Sequence, residues 1–198
     1  MNRKGVTIRL LGVMASLRHL TPQDESMILE WRNSTSVAPY MLRDTLISEE
    51  EHRKWFGQIL TDTDFALFRI MEHEGVSCGL MSLSHIHPDK LSGEWGGYLA
   101  PHVPRGSGLG KTLMYLSVNA AFNQLGLNQI QVEVIVGNDV AIGLYESLGF
   151  LRGETIVNRA ERKNGSVDVI TMSLKRDSWN IRKLEVKKLL VASNLITE

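Results

Sequence analysis

The sequence predicts an α/β domain built on one mixed, mostly antiparallel central sheet of about seven strands flanked by helices. Three observations support this. Hydrophobic periodicity runs β, α, α, then a β-meander, then α, β, α, β, β. A glycine-rich stretch at 103–111 joins a strand-like run to a long helical pattern. The 198 residues, 43% hydrophobic and 22% charged, suit one soluble domain with a real core.

Residues 6–20 read as a strand, stopped by Thr21 and Pro22. Residues 23–33 read as a helix, with Thr21 as cap, Pro22 at its first position and Met27, Ile28 and Trp31 on one face. A loop over 37–47 leads to Ser48-Glu49-Glu50-Glu51, a capping box that opens a second helix. Its apolar residues include Trp55, Phe56, Ile59 and Leu60, and 62–64 close it. Residues 65–71 and 76–85 form a hairpin around 72–75, which ends in glycine. After a polar loop, 94–100 is the next strand, ended by Pro101; Gly96-Gly97 suits a bulge.

The helix over 109–125 is closed by Gly126. Residues 129–136 are β-branched and strand-like, and Asn138 or Asp139 caps a short helix over 140–148. Residues 150–158 and 167–174 are the last strands. From Asp177 the pattern is helical, with Trp179, Val186 and Leu190 on one side. The expected division is therefore a domain over 1–176 and a helical tail over 177–198, which could pack on the core or on a second copy in a homodimer.

Lys plus Arg and Asp plus Glu are equal at 22 each, which argues against nucleic acid as the main partner. Cys78 is the single cysteine, so no internal disulfide or cysteine metal cluster can form, and no metal is expected. It reads as a small core residue. No apolar run reaches the roughly 18 residues of a membrane span, and the N-terminal stretch makes a poor signal peptide. The expectation is a cytoplasmic protein with no membrane partner.

A glycine-rich loop feeding a helix start suits phosphate. Its N–H groups can turn toward a ligand, and the helix N-terminus adds unpaired donors. The dinucleotide fingerprint fails because Lys111 stands where its third glycine belongs. The Walker-type loop fails because Arg105 stands where its first glycine belongs, and because a meander precedes the helix. What does match is Arg-x-x-Gly-x-Gly, at Arg105, Gly108 and Gly110. Downstream come Asn138, Ala141 and the run Leu144-Tyr145-Glu146-Ser147-Leu148-Gly149-Phe150.

On these two motifs, in this order, the chain resembles the GCN5-related N-acetyltransferases over roughly residues 6–174. The resemblance implies the fold of that family, whose sheet splays between its fourth and fifth strands. It implies acetyl-CoA as co-substrate, its pyrophosphate held by Arg105, Gly106, Ser107, Gly108, Leu109, Gly110 and Lys111. Its pantetheine arm would run along the backbone of Leu99 and Ala100 and touch Asn138, which is also a natural helix cap.

The chemistry narrows the catalytic residues. Acetylating an amine requires a neutral nucleophile and a donor to the departing thiolate. A tyrosine hydroxyl near pKa 10 can hydrogen-bond or protonate a thiolate whose thiol is near 8.5. The resemblance places Tyr145 there. Glu133 sits in an otherwise apolar strand, so its carboxylate must face water or a cleft. It and Glu94 are the candidate general bases; a water chain is the alternative.

Acceptor choice should lie in the N-terminal half. Ile28-Leu29-Glu30-Trp31-Arg32-Asn33, then Met41, Ile47-Ser48, His52 and Trp55-Phe56, resemble the family's branch acting on nucleotide-linked amino sugars. In that branch a UDP-linked 4-amino-4,6-dideoxy sugar is N-acetylated on the way to pseudaminic acid and flagellin glycans. The resemblance implies that Arg32 and His52 meet the nucleotide and its phosphates, a diphosphate being well suited to arginine. Arg32 could instead be a helix-surface cation beside Glu30 or Asp44, and His52 a half-buried helix residue. Ser84, His85 and Tyr98 fall near the acceptor mouth by strand order. The alternatives are acetylation of a protein N-terminus or of another small amine, and a non-catalytic acyl-CoA-binding module.

Overall fold

A computed structural model of the chain describes residues 15–61, 67–87 and 91–197. Its strands are β1 (Ala15–His19), β2 (Leu67–His73), β3 (Val76–His87), β4 (Ser92–Leu99), β5 (Gln129–Ile135), β6 (Leu151–Ala160) and β7 (Val167–Lys175). Its helices are α1 (Glu25–Asn33), α2 (Glu49–Thr61), α3 (Leu109–Asn119), α4 (Asp139–Ser147) and α5 (Arg176–Ala192). The seven strands form one sheet in the order β1-β2-β3-β4-β5-β7-β6. Every neighbouring pair is antiparallel except β4 with β5. The expected first-strand residues 6–14 and the helix-closing residues 62–64 lie outside the described residues.

Local chemistry explains the element boundaries. The N–H of Thr21 donates to Asp24 Oδ2 at 2.8 Å, starting the turn that runs into α1. The same carboxylate is held by both Arg18 Nη atoms at 2.8 Å, while Arg18 Nε donates to Glu72 at 2.7 Å. This group ties β1, β2 and the α1 start, and Arg18 holds the Asp24 carboxyl below its ordinary pKa. The Ser48 hydroxyl caps α2 by accepting the Glu51 N–H at 3.2 Å. The β2–β3 turn is shorter than 72–75: only Glu74 (φ 52°) and Gly75 (φ 80°) are left-handed, the two-residue turn that matches strand twist. β3 continues to His87 and β4 begins at Ser92, so the polar loop between them is short. α3 ends in a π-helical turn over Ala120–Gln124, and Gly126 at φ 70° redirects the chain.

The two faces of the sheet bury different helices. Met71, Met81, Trp95, Val132, Val134 and Met172 pack under α3, α4 and α5. Ile70 and Leu80, one residue out of phase, pack with Ile28 and Trp31 of α1 and Phe56 of α2. The expected tail forms α5, and Trp179, Val186 and Leu190 join the main core, each at most 2% exposed. Cys78 is buried and its thiol donates to the Met71 carbonyl at 3.3 Å. Burial pushes that thiol up to about 11, which makes it unreactive.

Candidate active site

β4 and β5 pair only at Ser92 with Gln129, Gly93 with Ile130 and Glu94 with Gln131. Beyond that fork they diverge, while β4 stays paired to β3 as far as Leu99 with Gly79. The Ala100 N–H donates to the Cys78 carbonyl at 2.9 Å. Backbone groups alternate sides along an antiparallel strand, so Leu99 and Gly97 aim theirs into the splay, where no strand receives them. An extended amide-bearing arm can pair with such an edge. Of the two residues expected along that arm, Leu99 offers its backbone and Ala100 does not.

The glycine-rich loop expected to hold the donor spans 101–108, between β4 and α3. Gly106 (φ 78°) and Gly108 (φ 82°) are both left-handed, and Gly108 is the N-cap of α3. No other residue adopts two such turns cheaply, and the result is a run of N–H groups at a helix start. Ser107 Oγ accepts the Leu109 N–H at 3.4 Å. A Cβ on Gly110 would stand 3.7 Å from both Leu99 and Leu144, an ordinary van der Waals contact, so Gly110 marks where α3 passes β4 and α4. Lys111 lies in the first turn of α3, and Arg105 projects from the loop.

Asn138 caps α4, its Oδ1 accepting the Ala141 N–H at 3.3 Å. The capped helix holds Tyr145 at 8% exposure, edge-on to Trp95 (centroids 6.0 Å apart) and tilted on Phe150 (5.6 Å). Burial pushes its hydroxyl well above the ordinary tyrosine pKa, so it remains a proton-bearing donor. Gly97 makes this packing possible. A Cβ there would lie 2.7 Å from the Leu80 carbonyl and 2.8 Å from Trp95 Cζ2. The expected bulge at Gly96-Gly97 is absent from the β3–β4 ladder, which is regular across both; the shift falls in β3 between Ser84 and His87. The glycines serve close approach: to the Trp95 ring at Gly97, and to Ser82 Oγ, 3.0 Å from an added Cβ, at Gly96.

Strand alternation puts Glu94 and Tyr98 on the face opposite Trp95, and Glu133 on the face opposite Val132. Ser84 stands directly across from Glu94. His85, left-handed at φ 46° in the bulge, brings Nδ1 to 3.0 Å from Glu94 Oε2. Glu133 is engaged by Arg159 Nε at 3.3 Å. Tyr98 is half-buried against the α1–α2 cluster, with its hydroxyl pushed above the ordinary value by desolvation and Arg32 acting against that rise. Arg32 donates to the Arg43 carbonyl, and burial lowers its guanidinium below the ordinary arginine value.

The alignment with known families follows this layout. Residues 15–151 match the model described as "Acetyltransferase (GNAT) domain". The chain belongs to the GNAT acetyltransferase family. Among curated proteins it is 26% identical to a spermidine N(1)-acetyltransferase of Vibrio cholerae over 136 residues, 69% of this chain and 78% of that one. It is equally 26% identical to the acetyltransferase PseH of Campylobacter jejuni over 137 residues, 69% and 83% of the two chains. A crystal structure of V. cholerae spermidine N-acetyltransferase with CoA and spermine superposes with a TM-score of 0.78 at 24% identity, over 84% of this chain and 98% of that one. This likeness establishes the fold. The chain is thus an acetyl-CoA-dependent N-acetyltransferase.

Within this GNAT domain two placements differ from expectation or were not foreseen. His52 was expected at the acceptor phosphates. It is 2% exposed, its Nε2 lies 2.8 Å from the Glu25 carbonyl, and its ring packs on Trp55 and Phe56. Its position joins α2 to α1. The unforeseen feature is a clamp on the segment between α1 and α2. Arg105 donates to the Tyr40 hydroxyl at 3.2 Å with its guanidinium 5.4 Å from that ring's centroid. From the β6–β7 tip, Arg162 donates to the Pro39 carbonyl at 2.7 Å and pairs with Asp44 at 3.4 Å, and the Lys163 N–H donates to Asp44 at 3.0 Å. Arg32 Nη1 and Arg162 Nε are both buried with no hydrogen-bond partner among the described residues.

Proposed function

We propose that this acetyltransferase acts on a UDP-linked 4-amino-dideoxy sugar of the kind used for pseudaminic acid and flagellin glycans. The observation that carries this is Arg32 Nη1, a buried donor with no hydrogen-bond partner among the described residues, while Nη2 donates to the Arg43 carbonyl. A buried arginine donor without a partner is costly, and a phosphate oxygen of a diphosphate satisfies it with a charge-assisted hydrogen bond. The surroundings agree. Asp44 and Glu51, the carboxylates near Arg32, are already paired, Glu51 by Arg43 and Asp44 by Arg162. The resemblance to PseH supports the same reading. The equal likeness to a spermidine acetyltransferase favours a polyamine acceptor, but a polycation offers no acceptor to Arg32 Nη1.

Catalysis uses the two faces of the splay. The N–H groups of 106–111 hold the pyrophosphate of acetyl-CoA, and the free edge of β4 at Leu99 and Gly97 holds its arm. Arg32, Tyr98, Ser84 and His85 line the acceptor's approach from the α1–α2 face. The sugar amine adds to the thioester carbonyl carbon. As the carbon–sulfur bond breaks, the Tyr145 hydroxyl donates to the sulfur; its raised pKa makes it a hydrogen-bond donor more than a full proton source. Glu94, at the fork and beside His85, accepts the amine proton and passes it outward. Glu133 is committed to Arg159 and is the weaker candidate.

Calorimetry with UDP tests the acceptor assignment. UDP is expected to bind the wild-type enzyme, and Arg32→Ala to weaken it about tenfold to a hundredfold, the worth of one charge-assisted hydrogen bond. No binding of UDP at millimolar concentration would remove the nucleotide sugar from the account.

A further inference from the structure

The segment that follows α5 seats itself on the donor loop. α5 lies along α3. At one end Trp179 donates from Nε1 to Asn119 Oδ1 at 3.2 Å and packs on Tyr115. At the other end Asn194, left-handed at φ 55°, turns the chain, and the Leu195 N–H donates back to the Leu190 carbonyl at 2.9 Å. Leu195 is then 8% exposed, in the same core cluster as Leu109 of the first α3 turn. Its Cδ1 occupies the space over Gly108: a Cβ built there would be 2.6 Å away.

The consequence concerns stiffness. A loop with left-handed glycines at 106 and 108 has little conformational restraint of its own. Gly106 stands in open space, with nothing within 4 Å of an added Cβ. Gly108 is the one held from outside, and it carries the first intrahelical acceptor, its carbonyl taking the Thr112 N–H at 3.0 Å and the Thr112 hydroxyl at 3.2 Å. Fixing Gly108 therefore fixes the direction of the N–H groups that open α3.

We infer that Leu195 is a positioning residue for donor binding: by packing on Gly108 it pre-forms the pyrophosphate loop, so that acetyl-CoA meets an ordered cradle. This rests on the assignment of 106–111 to the donor pyrophosphate. Pre-organisation lowers the entropy lost on binding and leaves the chemical step alone. It predicts an effect on donor affinity only.

The test measures acetyl-CoA affinity by calorimetry together with kcat and both KM values for Leu195→Ala, Leu195→Met and Ile181→Ala, the last on the exposed side of α5 at 85% exposure. Leu195→Ala is expected to weaken acetyl-CoA about three- to tenfold, the worth of one ordered side chain or backbone unit, with kcat and the acceptor KM unchanged. Leu195→Met is expected to recover most of the affinity, and Ile181→Ala to match wild type. Equal acetyl-CoA affinity for Leu195→Ala and wild type would overturn the inference. So would a parallel loss of donor and acceptor affinity that methionine does not restore, since that describes general damage to the fold. If wild type itself binds no acetyl-CoA, the donor-loop assignment fails instead.

Discussion

Replacing Gly97 by alanine probes how the fold builds the environment of Tyr145, the proposed donor to the leaving sulfur. The added methyl would stand 2.7 Å from the Leu80 carbonyl and 2.8 Å from the Trp95 ring. Both distances are too short to keep, and the carbonyl belongs to the regular β3–β4 ladder, so the strand pair has to shift as well as the indole. Overpacking of this kind costs about 1–3 kcal/mol. For a chain of this size that lowers the melting temperature by roughly 2–12 °C. Trp95 lies edge-on to Tyr145, so the displaced ring moves the hydroxyl, and a misplacement of about 1 Å can lower turnover about a hundredfold. Thermal melts and thiol release from acetyl-CoA measure the two effects. Gly143, within α4 and with nothing within 4 Å of an added Cβ, is the control: alanine there should stabilise by about 0.5–1 kcal/mol. A Gly97→Ala enzyme that melts and turns over like wild type would refute the packing argument.

The remaining predictions are simpler. Tyr145→Phe should lower kcat about a hundredfold or more while acetyl-CoA KM stays within about twofold; an unchanged kcat removes its role at the sulfur. Because burial raises the Tyr145 pKa in the folded state, its contribution to stability is complete below the unfolded value near 10 and is lost as pH rises through it, so alkaline melts should show a fall that Tyr145→Phe reduces. Asp24 has the opposite sign. Arg18 depresses its pKa, so its contribution is present above about pH 4 and is lost on acidification; Asp24→Asn should cost about 1–3 kcal/mol at pH 7 and flatten the acid limb of the stability curve.

Features with local causes were legible in the sequence. The donor loop could be read because positive φ at Gly106 and Gly108 is a property of those residues themselves. The α2 and α4 starts followed from Ser48 and Asn138, each acting within three residues of its own position, whereas α1 starts at Glu25 after a short turn that Thr21 and Asp24 close, not at the expected cap Thr21. The splay between the fourth and fifth strands came with the family resemblance, while the parallel pairing of β4 with β5 is seen only in the structure. What escaped depends on distant atoms. Nothing near Gly97 in sequence shows that the Trp95 ring will lie across it rather than a bulge forming. Arg162 and Asp44 meet across more than a hundred residues of chain, so their clamp is invisible to periodicity. His52 carries the same letter whether it faces a phosphate or the Glu25 carbonyl, and only the packing of α1 on α2 decides between them. The one-sided pattern of Trp179, Val186 and Leu190 was visible, but not that α5 runs back along α3 to place Leu195 on Gly108.

The comparisons pair this chain equally with an enzyme named for a polyamine and one named PseH, so acceptor charge is the decisive question. The ratio of kcat/KM for a UDP-4-amino-4,6-dideoxy sugar to that for spermidine, both read as thiol release from acetyl-CoA, answers it directly. The unpartnered Nη1 of Arg32 predicts a ratio of about a hundred or more, the discrimination expected when a buried charged donor is either met or left unpaired. A ratio below one would contradict the assignment and make this chain a polyamine acetyltransferase.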